Sequence, residues 1–427
     1  MRVRVGAAVL NQTPLDWDRN EQNLRGALRA ASSAGVSVLC LPELAVTGYG
    51  CEDAFYGPHV SETAQEIILG LLPETRGMFT CFGLPVLWSG ALYNVAAVAV
   101  DGRLVGAVAK QHLAGDGLHY EPRWFKPWPP GQRHSAILCG QEVPFGDLHF
   151  DCGGLRIGFE ICEDAWVADR PGSRLGRRGV EILVNPSASH FAFDKIDVRR
   201  RLVIEGSRAF GSVYVYTNLL GNESGRAIYD GGALIAADGA LVAEGPRFSF
   251  EPWQLTTAVV DLEVARARRA RTASFRPLHQ PDTDRVEVPF QWPALPPDPP
   301  ATIVRAAFED LPAPQRRLEC FTRSITLALL DYLEKSRSRG FVVSLSGGAD
   351  SAAVSLLVVT GLRLAAAELG LEALVARVGR PAGTSLEALT RDMLTCVYQS
   401  TRNSGEVTLT AARGVATALG AKFAVID

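Results

Sequence analysis

The sequence predicts an α/β protein whose sheets contain parallel strands. Residues 3–10 alternate in polarity as a strand does, residues 20–33 have helical spacing, and residues 36–41 form a short apolar run. This β-α-β order places parallel strands in one sheet, with helices on its faces. Further along the chain, an apolar run at 340–345 leads through a glycine-rich turn into a helical segment that starts near 352, which repeats the pattern.

The composition is that of an ordinary globular protein. The 427 residues suggest two or three domains, and 47% of them are hydrophobic and 21% charged. The net charge of −3 is too small to indicate a nucleic-acid or membrane-surface partner. No apolar run approaches the roughly 20 residues that span a bilayer, and residues 1–5 enter a strand pattern at once. We therefore expect no nucleic-acid partner and no membrane.

The eight cysteines are scattered along the chain, most of them inside apolar runs, without a CxxC pair. This distribution argues against a disulfide framework or a zinc site. A reducing, cytoplasmic location is the expectation that follows.

One cysteine stands at the end of a predicted strand. The apolar run 155–161 ends in Cys162, which Glu163 and Asp164 follow. The C-terminal end of a strand is where open α/β sheets bind ligands. Because adjacent carboxylates disfavour the thiolate, a nucleophilic Cys162 needs both a base and a cation close by. The alternative is an inert buried cysteine, which is common.

Two more predicted strands end in a reactive side chain. The run 36–41 leads to Glu43, and the run 104–109 ends in Lys110. A base, a cation and a thiol at three strand ends predict a catalytic group. In it, Glu43 would take the thiol proton of Cys162, and Lys110 would stabilise a tetrahedral intermediate. None of the seven histidines ends a predicted strand in this way.

These three residues resemble the Glu-Lys-Cys triad of the nitrilase, or carbon–nitrogen hydrolase, superfamily. The surrounding segments resemble the glutaminase domain of glutamine-dependent NAD synthetases: Leu41-Pro42-Glu43-Leu44, Thr47-Gly48-Tyr49-Gly50-Cys51-Glu52-Asp53, His119-Tyr120-Glu121-Pro122-Arg123-Trp124-Phe125 and Gly158-Phe159-Glu160-Ile161-Cys162-Glu163-Asp164. The resemblance implies an α-β-β-α nitrilase-like sandwich in which Glu121 supports the triad. It also implies that Tyr49 and Ser189 help to bind L-glutamine, although Ser189 could equally be a turn serine.

Residues 276–314 are expected to form a proline-rich linker between a glutaminase domain at 1–275 and a second domain at 315–427. A run from Trp292 to Pro300 contains five prolines, which suit neither a helix nor a central strand. We expect the arginines at 199–201 to be the solvated face of a helix at 196–210. We expect a second cluster to form a solvated or interdomain surface: Arg266, Arg268, Arg269, Arg271 and Arg276.

The second domain is marked by the turn Ser346-Gly347-Gly348-Ala349-Asp350-Ser351. A glycine-rich turn before a helix exposes backbone N–H groups to an anion, and this one lacks the lysine of a Walker loop. It resembles the loop of N-type ATP pyrophosphatases; a simple tight turn is the alternative. The resemblance implies a partial, Rossmann-like ATP pyrophosphatase domain. It assigns ATP binding to Ser346, Gly347, Gly348, Asp350 and Ser351, and places Mg²⁺ near Asp350. Residues 398–404 share the resemblance without an assigned role.

The two resemblances together imply an amidotransferase. Glutamine would supply ammonia, and deamido-NAD would be amidated with cleavage of ATP to AMP and pyrophosphate. We also expect a homo-oligomer. Because synthetase domains of the family extend beyond the position of Asp427, we expect a truncated second domain. Two alternatives stay open: a stand-alone amidase or glutaminase with a vestigial synthetase segment, and a non-catalytic assembly subunit.

Overall fold

The computed structural model describes residues 1–223, 225–279, 282–295, 303, 306–402 and 405–426. They form two compact units. The first comprises Met1–Arg247 and Pro252–Ala307, and the second comprises Phe248–Glu251 and Phe308–Asp427.

The first unit is built mainly from strands. These are β1 (Arg2–Leu10), β2 (Val38–Cys40), β3 (Phe79–Trp88), β4 (Ala91–Val100), β5 (Arg103–Ala109), β6 (Arg133–Leu138), β7 (Gln141–Gly146), β8 (His149–Cys152), β9 (Leu155–Phe159), β10 (Ile182–Pro186), β11 (Val213–Thr217), β12 (Leu220–Glu223), β13 (Ala227–Asp230), β14 (Leu234–Ala237), β15 (Ala240–Glu244), β16 (Trp253–Asp261) and β17 (Arg285–Val288). Its helices are α1 (Trp17–Ser33), α2 (Pro58–Leu71), α3 (Glu121–Trp124), α4 (Pro171–Arg177), α5 (Lys195–Phe210) and α6 (Leu262–Arg271).

Two large sheets face each other in this unit. One has the order β16-β1-β2-β3-β4-β5-β7-β6, and the other has the order β15-β14-β11-β10-β9-β8-β17. Aromatic side chains meet between them, with the ring of Phe79 5.9 Å from that of Phe150. Helices α1 and α2 pack on the outside of the first sheet, and α4 and α5 on the outside of the second. The expected α-β-β-α sandwich is therefore confirmed.

The sequence pattern explains why the central strands lie where they do. Every residue of β2, β10 and β11 is buried, as parallel strands covered on both faces should be. Helix α1 buries a stripe at helical spacing that includes Leu24, Leu28 and Ala31. Its N-terminus is capped by the Asp16 side chain, which accepts a hydrogen bond from the Arg19 N–H.

The expected linker at 276–314 is not wholly a linker. Strand β17 pairs in parallel with β8, and the Trp292 indole N–H donates to the Cys152 carbonyl at 2.7 Å. Within β17, Val286 and Val288 are buried while Glu287 is exposed, so a short alternating pattern joins a sheet edge despite the nearby prolines. Residues 280–281, 296–302 and 304–305 of the expected linker lie outside the described residues.

The expectation for the arginines at 199–201 was wrong for Arg199. Its side chain is buried and pairs with Asp230 at 2.7 Å, and Arg247 approaches the other oxygen of Asp230 at 2.9 Å. Successive residues of a helix are rotated by about 100° about its axis, so adjacent arginines in this run face different surroundings. Arg200 bonds to Glu244, and within this run only Arg201 is exposed.

The second cluster of arginines also proved to be partly structural. It lies mostly on α6, where Arg266 pairs with Glu181. The Arg269 guanidinium donates to the carbonyls of Val180 and Gly211. The cluster thus fastens α6 to the sandwich.

The second unit contains α7 (Ala313–Lys335), β18 (Phe341–Ser344), α8 (Ala349–Leu369), α9 (Leu371–Arg377), α10 (Leu386–Met393), β19 (Leu394–Gln399), α11 (Glu406–Leu419) and β20 (Lys422–Ile426). The strands form a parallel sheet in the order β18-β19-β20, and β18 is followed by the turn and by α8, as expected of a partial Rossmann-like domain. By length and composition alone α8 could cross a membrane, which corrects the expectation that no segment is apolar enough. It packs against α7, α9, β18 and β19, and 33% of its most apolar stretch is buried.

Candidate active site

Loops after three strands bring Glu43, Lys110 and Cys162 together. Glu43 follows β2, Lys110 follows β5 directly, and both strands belong to the eight-stranded sheet. Cys162 begins a short 3₁₀ helix, Cys162–Ala165, after β9 of the facing sheet. The site therefore forms where loops of both sheets converge, as the strand-end pattern predicts.

Lys110 is a buried cation held between two carboxylates. Its Nζ lies 2.6 Å from Oε1 of Glu43 and 2.8 Å from Oε1 of Glu121, and no more than 1% of any of the three side chains is exposed. Burial opposes the ammonium form, but Glu121 and Glu43 outweigh it and raise the pKa of Lys110 well above its ordinary value. Lys110 is therefore charged at any working pH.

Glu43 is fixed by donors from three directions. Besides Lys110, the Asn94 Nδ2 donates to its Oε1 at 2.7 Å, and the Ala188 N–H donates to its Oε2 at 3.0 Å. The loop reaches this position because Gly83 of β3 lies against the backbone of residues 42–44, where a Cβ would collide with the Leu44 nitrogen. Glu43 thus has one defined orientation.

Cys162 is held in a strained conformation inside the site. Only 4% of it is exposed, and its φ of +47° lies in the left-handed region that residues other than glycine seldom adopt. Burial raises the pKa of its thiol, Glu43 and Glu121 add to the rise, and Lys110 opposes it. The resting form is therefore the thiol, which needs a base to become a nucleophile.

Asp164 ties the turn that begins at Cys162 to the loop that carries Lys110. Its carboxylate accepts hydrogen bonds from the backbone N–H groups of Ile161, Gln111 and His112, at 2.9, 3.1 and 2.8 Å. Burial raises its pKa to about 8, against these N–H contacts. These hydrogen bonds hold the Cys162 turn in place against the loop that follows Lys110.

Glu121 lies beside Lys110, as the resemblance implies. Its Oε1 also accepts the Tyr49 hydroxyl at 2.7 Å, and its Oε2 accepts the Ala114 N–H at 3.2 Å. Burial raises the pKa of Glu121 to about 7 even though Lys110 opposes the rise. Because the Tyr49 hydroxyl donates to Glu121, a substrate could meet the ring of Tyr49 but not this donor.

Ser189 is buried on the other side of the site. Its N–H donates to the Asn218 side chain at 2.8 Å, and its hydroxyl accepts from the Arg199 guanidinium at 3.2 and 3.3 Å. These contacts are compatible with a structural role for Ser189 and also with a contact to a ligand. Its glutamine-binding role remains a prediction.

The strand-end pattern alone did not identify several residues at the site. They are Asn94, Asp164, His119, His190 and Lys195. Asp164 could have been suspected from its place in Glu160-Ile161-Cys162-Glu163-Asp164, because an acid two residues beyond a nucleophile can cap the turn. Asn94 lies within a strand, and the histidines lie in loops, so only folding brings them to the triad.

The turn at 346–351 in the second unit joins β18 to α8, as expected. Gly347 has a φ of +85°, and a Cβ there would lie 2.6 Å from the Thr408 carbonyl, so only glycine fits. The Ser346 hydroxyl accepts the Gly348 N–H, and the Ser351 hydroxyl accepts the Ser346 N–H.

Among the described residues no side chain caps the N-terminus of α8, so its first-turn amides can face an anion. Asp350 is exposed in this turn and offers one carboxylate. Mg²⁺ often binds through one or two carboxylates together with substrate phosphates. The residues thus fit ATP with Mg²⁺, although the magnesium role of Asp350 remains a prediction.

Comparison with known proteins agrees with both resemblances. The chain is 31% identical over 446 residues to a glutamine-dependent NAD(+) synthetase from Oryza sativa subsp. indica, covering 98% of this chain and 59% of that protein. A crystal structure of a glutamine-dependent NAD(+) synthetase from Cytophaga hutchinsonii matches all of this chain and 65% of its own, with 36% identity and a TM-score of 0.81. An Acinetobacter baumannii NAD⁺ synthetase, solved in complex with ADP, shares the fold at 20% identity, with a TM-score of 0.70 and coverage of 100% of this chain and 64% of that one.

The chain thus spans roughly three fifths to two thirds of the length of these relatives. Residues 4–271, nearly two thirds of the chain, match the carbon–nitrogen hydrolase family, and this match contains Glu43, Lys110, Glu121 and Cys162. The sandwich, the buried triad and this match agree. The chain belongs to the carbon–nitrogen hydrolase family.

Proposed function

We propose that this chain carries out the glutamine-dependent synthesis of NAD, with L-glutamine hydrolysed in the first unit and deamido-NAD amidated in the second. The observation that supports it best is Lys110, which is buried between Glu43 and Glu121 and interacts electrostatically with the thiol of Cys162. A base, a cation and a nucleophile together suit the hydrolysis of an amide through a covalent intermediate. The names of the relatives favour a synthetase over a stand-alone amidase or an assembly subunit.

In the first half of hydrolysis, Glu43 takes the proton of the Cys162 thiol, and the sulfur attacks the carboxamide carbon of glutamine. The C=O electron pair moves to oxygen, and the charge of Lys110 stabilises this developing oxyanion. Glu43 then gives its proton to the nitrogen, the C–N bond breaks, and ammonia leaves. The product is a γ-glutamyl thioester on Cys162.

In the second half, Glu43 takes a proton from water, whose oxygen attacks the thioester carbon. The C–S bond breaks, the sulfur recovers the proton, and glutamate leaves. Each proton is thus held at Glu43, whose three donors keep its oxygens in place during both steps.

Two charges of opposite sign near Cys162 favour an amino acid as substrate. Glu163 adjoins Cys162, and Lys195 interacts electrostatically with both. Burial lowers the pKa of Lys195 to about 8. Electrostatic interactions with Cys162 and Glu163 partly oppose this decrease. A free amino acid offers an ammonium to Glu163 and a carboxylate to Lys195, whereas a simple aliphatic amide offers neither.

For the second unit we propose an adenylation. A carboxylate oxygen of deamido-NAD attacks the α-phosphorus of ATP, pyrophosphate leaves, and ammonia then displaces AMP to form the amide of NAD. The residues of the turn, Ser346, Gly347, Gly348, Asp350 and Ser351, would hold the phosphates, and Asp350 would bind Mg²⁺, which neutralises phosphate charge. A cytoplasmic homo-oligomer is part of the same proposal.

Parallel assays of glutamate and NAD, with glutamine or ammonium as the nitrogen donor, test the proposal. Glutamate release that depends on Cys162 supports the glutaminase, and NAD formation with either donor supports the synthetase. Glutamate release without NAD formation from either donor would reduce the function to a glutaminase. No glutamate release at all would overturn the proposal for the first unit.

A further inference from the structure

The two carboxylate oxygens of Glu43 have unequal surroundings. Oε1 accepts from Nζ of Lys110 at 2.6 Å and from Nδ2 of Asn94 at 2.7 Å, whereas Oε2 accepts only from the Ala188 N–H, at 3.0 Å. A carboxylate offers two lone pairs on each oxygen. Among the residues that the structure describes, three donors therefore fill both positions on Oε1 and one on Oε2. The vacant position, where Glu43 can take up a proton without losing a donor, is on Oε2.

Oε2 lies on the side of the carboxylate that faces the nucleophile. The Ala188 N–H, which donates to Oε2, can also donate to the sulfur of Cys162. Burial raises the pKa of the Cys162 thiol, and this N–H lowers it. Oε2 and the sulfur therefore share a neighbour, whereas Oε1 faces Lys110 and Asn94. The thiol proton can thus move to Oε2 directly.

The side chain of Asn94 serves Glu43 alone. Glu43 fixes the orientation of the amide, because Oδ1 in place of Nδ2 would bring two acceptors together. In this orientation Oδ1 is buried and has no hydrogen-bond partner among the described residues. A buried acceptor without a partner destabilises the fold, so stability does not account for an amide at this position. The Asn94 carbonyl accepts the Lys110 N–H at 2.9 Å, which fixes Asn94 beside the cation.

We propose that Asn94 is a positioning residue that, together with Lys110, occupies Oε1 of Glu43 and so confines the proton transfers to Oε2. This inference rests on the proposed amide hydrolysis and assigns it a further residue and a proton-carrying atom. Oε2 takes the proton as the S–H bond of Cys162 breaks, and it gives this proton to the departing nitrogen. In the second half Oε2 takes a proton from water and returns it to the sulfur. Asn94 acts through Glu43 in both halves.

Loss of the Asn94 donor would open a second vacant position, on Oε1. A proton bound there would lie on the Lys110 side of the carboxylate and would have to move to Oε2 before it could reach the departing nitrogen. Both halves of the reaction would therefore slow, while glutamine binding would stay the same. The charged or titratable groups that interact electrostatically with Glu43 are Lys110, Glu121, Cys162, Glu163, Tyr49 and Tyr229. The kinetic variants below keep all of these groups, so a changed pH profile reports on the side chain at position 94.

The test compares two substitutions of nearly equal size. Asn94→Leu removes the donor at every pH, whereas the carboxyl of Asn94→Asp can donate to Oε1 only while it is protonated. Thr80→Val is the matched control, because it removes another buried hydrogen bond of the same sheet, from the Thr80 hydroxyl to the Leu39 carbonyl at 3.1 Å. Both kcat and KM for glutamate release are measured between pH 5 and pH 9. Rates are expressed per Cys162 that iodoacetamide alkylates, so that misfolded protein does not lower them.

We expect Asn94→Leu to lower kcat about tenfold or more, which is part of the 10²–10⁴-fold that a general base supplies. Its kcat/KM should fall by the same factor, because the lost interaction acts only in the transition states. Relative to the unchanged protein at the same pH, Asn94→Asp should be nearly as active at pH 5. This ratio should fall towards that of Asn94→Leu as the pH rises, because the introduced carboxyl then loses its O–H. Thr80→Val should keep the kcat of the unchanged protein.

A crystal structure of Cys162→Ala with bound glutamine tests the choice of oxygen directly. The carboxamide nitrogen should lie about 2.6–3.2 Å from Oε2 of Glu43 and farther from Oε1. A nitrogen that contacts Oε1 instead would overturn the assignment of the proton to Oε2.

Full kcat in Asn94→Leu would overturn the positioning role, and so would an equal loss of kcat in Thr80→Val. If Asn94→Leu does not fold, an activity ratio of Asn94→Asp that stays constant between pH 5 and pH 9 contradicts the proposal equally well. These outcomes leave the proposed glutaminase intact. If the unchanged protein releases no glutamate, the proposed glutaminase itself fails, and this inference fails with it.

Discussion

Nζ of Lys110 and Oε1 of Glu43 lie 2.6 Å apart where neither side chain is exposed to solvent. A buried charge is tolerated only when it is paired, so each side chain stabilises the other against the cost of leaving water. The same arrangement places the proposed base beside the proposed oxyanion-stabilising cation. Structural and chemical roles are therefore joined in one pair.

Lys110→Met should lose more stability than Glu43→Gln, although both lose activity. Removing Lys110 leaves Glu43 and Glu121 buried without their cation, which should lower the free energy of unfolding by roughly 3–5 kcal/mol. Glu43→Gln removes the proposed base and should slow glutamate release by about 10²–10⁴-fold. Urea denaturation and steady-state assays measure both effects, with the exposed Lys126→Met as the control. Equal stability of Lys110→Met and the unchanged protein would contradict the buried-pair account.

Cys162→Ala should abolish glutamate release while the fold persists. Alanine removes a single buried sulfur, so the free energy of unfolding should change by only about 1–2 kcal/mol. Cys139→Ala, which alters a half-buried cysteine away from the triad, should keep full activity. Residual turnover in purified Cys162→Ala above the level of an inactive preparation would rule out Cys162 as the nucleophile.

The pH dependence of glutamate release should reflect Glu121. Burial raises its pKa to about 7, so the carboxylate that holds Lys110 is lost as the pH falls through that value. Activity should therefore rise between pH 6 and pH 8, with a midpoint near 7. Glu121→Gln carries no charge at any pH, so its lower activity should lack this limb. A limb of unchanged midpoint in Glu121→Gln would assign the titration to another group.

Arg199→Met and Arg201→Met separate two adjacent arginines. The first leaves Asp230 with only one of its two buried cations and should cost roughly 3–5 kcal/mol. The second alters an exposed side chain and should change stability by at most about 0.5 kcal/mol. Thermal and urea unfolding measure the difference. Similar losses in the two variants would place Arg199 at the surface.

Gly347→Ala should distort the turn of the second unit, because a Cβ there meets the Thr408 carbonyl and φ is +85°. We expect this chain to bind ATP weakly, with a Kd of about 1 mM, since helix-terminus and charge-assisted contacts contribute modestly. Gly347→Ala should abolish that binding, whereas Gly414→Ala, which has open space around it, should not. Calorimetric titration with ATP and magnesium measures both. Undiminished ATP binding by Gly347→Ala would show that the nucleotide does not bind at this turn.

Strand-end chemistry was enough to predict which residues meet, although their loops follow strands of two facing sheets, β2 and β5 of one and β9 of the other. Lys110 directly follows β5, as the apolar run predicts. The predicted ends of the strands were less accurate. The strand predicted at 155–161 ends at Phe159, because Ile161 is already the N-cap residue of the turn that positions Cys162. The strained φ of Cys162 has no signature in the sequence.

Long-range contacts account for most of what the sequence could not predict. Residues 227–237 are divided between two strands of different sheets, β13 and β14, because Gly231 and Gly232, both with positive φ, turn the chain between them. Arg199 looked like a solvated residue because its partner Asp230 lies 31 residues away. His119 and His190 are 71 residues apart, and no local pattern indicates that their rings touch.

We expect the sulfur of Cys162 to attack the amide carbon of glutamine. Mass spectrometry of acid-quenched protein, after brief mixing with glutamine, tests this most directly. We expect one γ-glutamyl group on the peptide that contains Cys162, formed during glutamate release and absent from Cys162→Ala. Glutamate release without any acyl group on that peptide, and undiminished in Cys162→Ala, would contradict it.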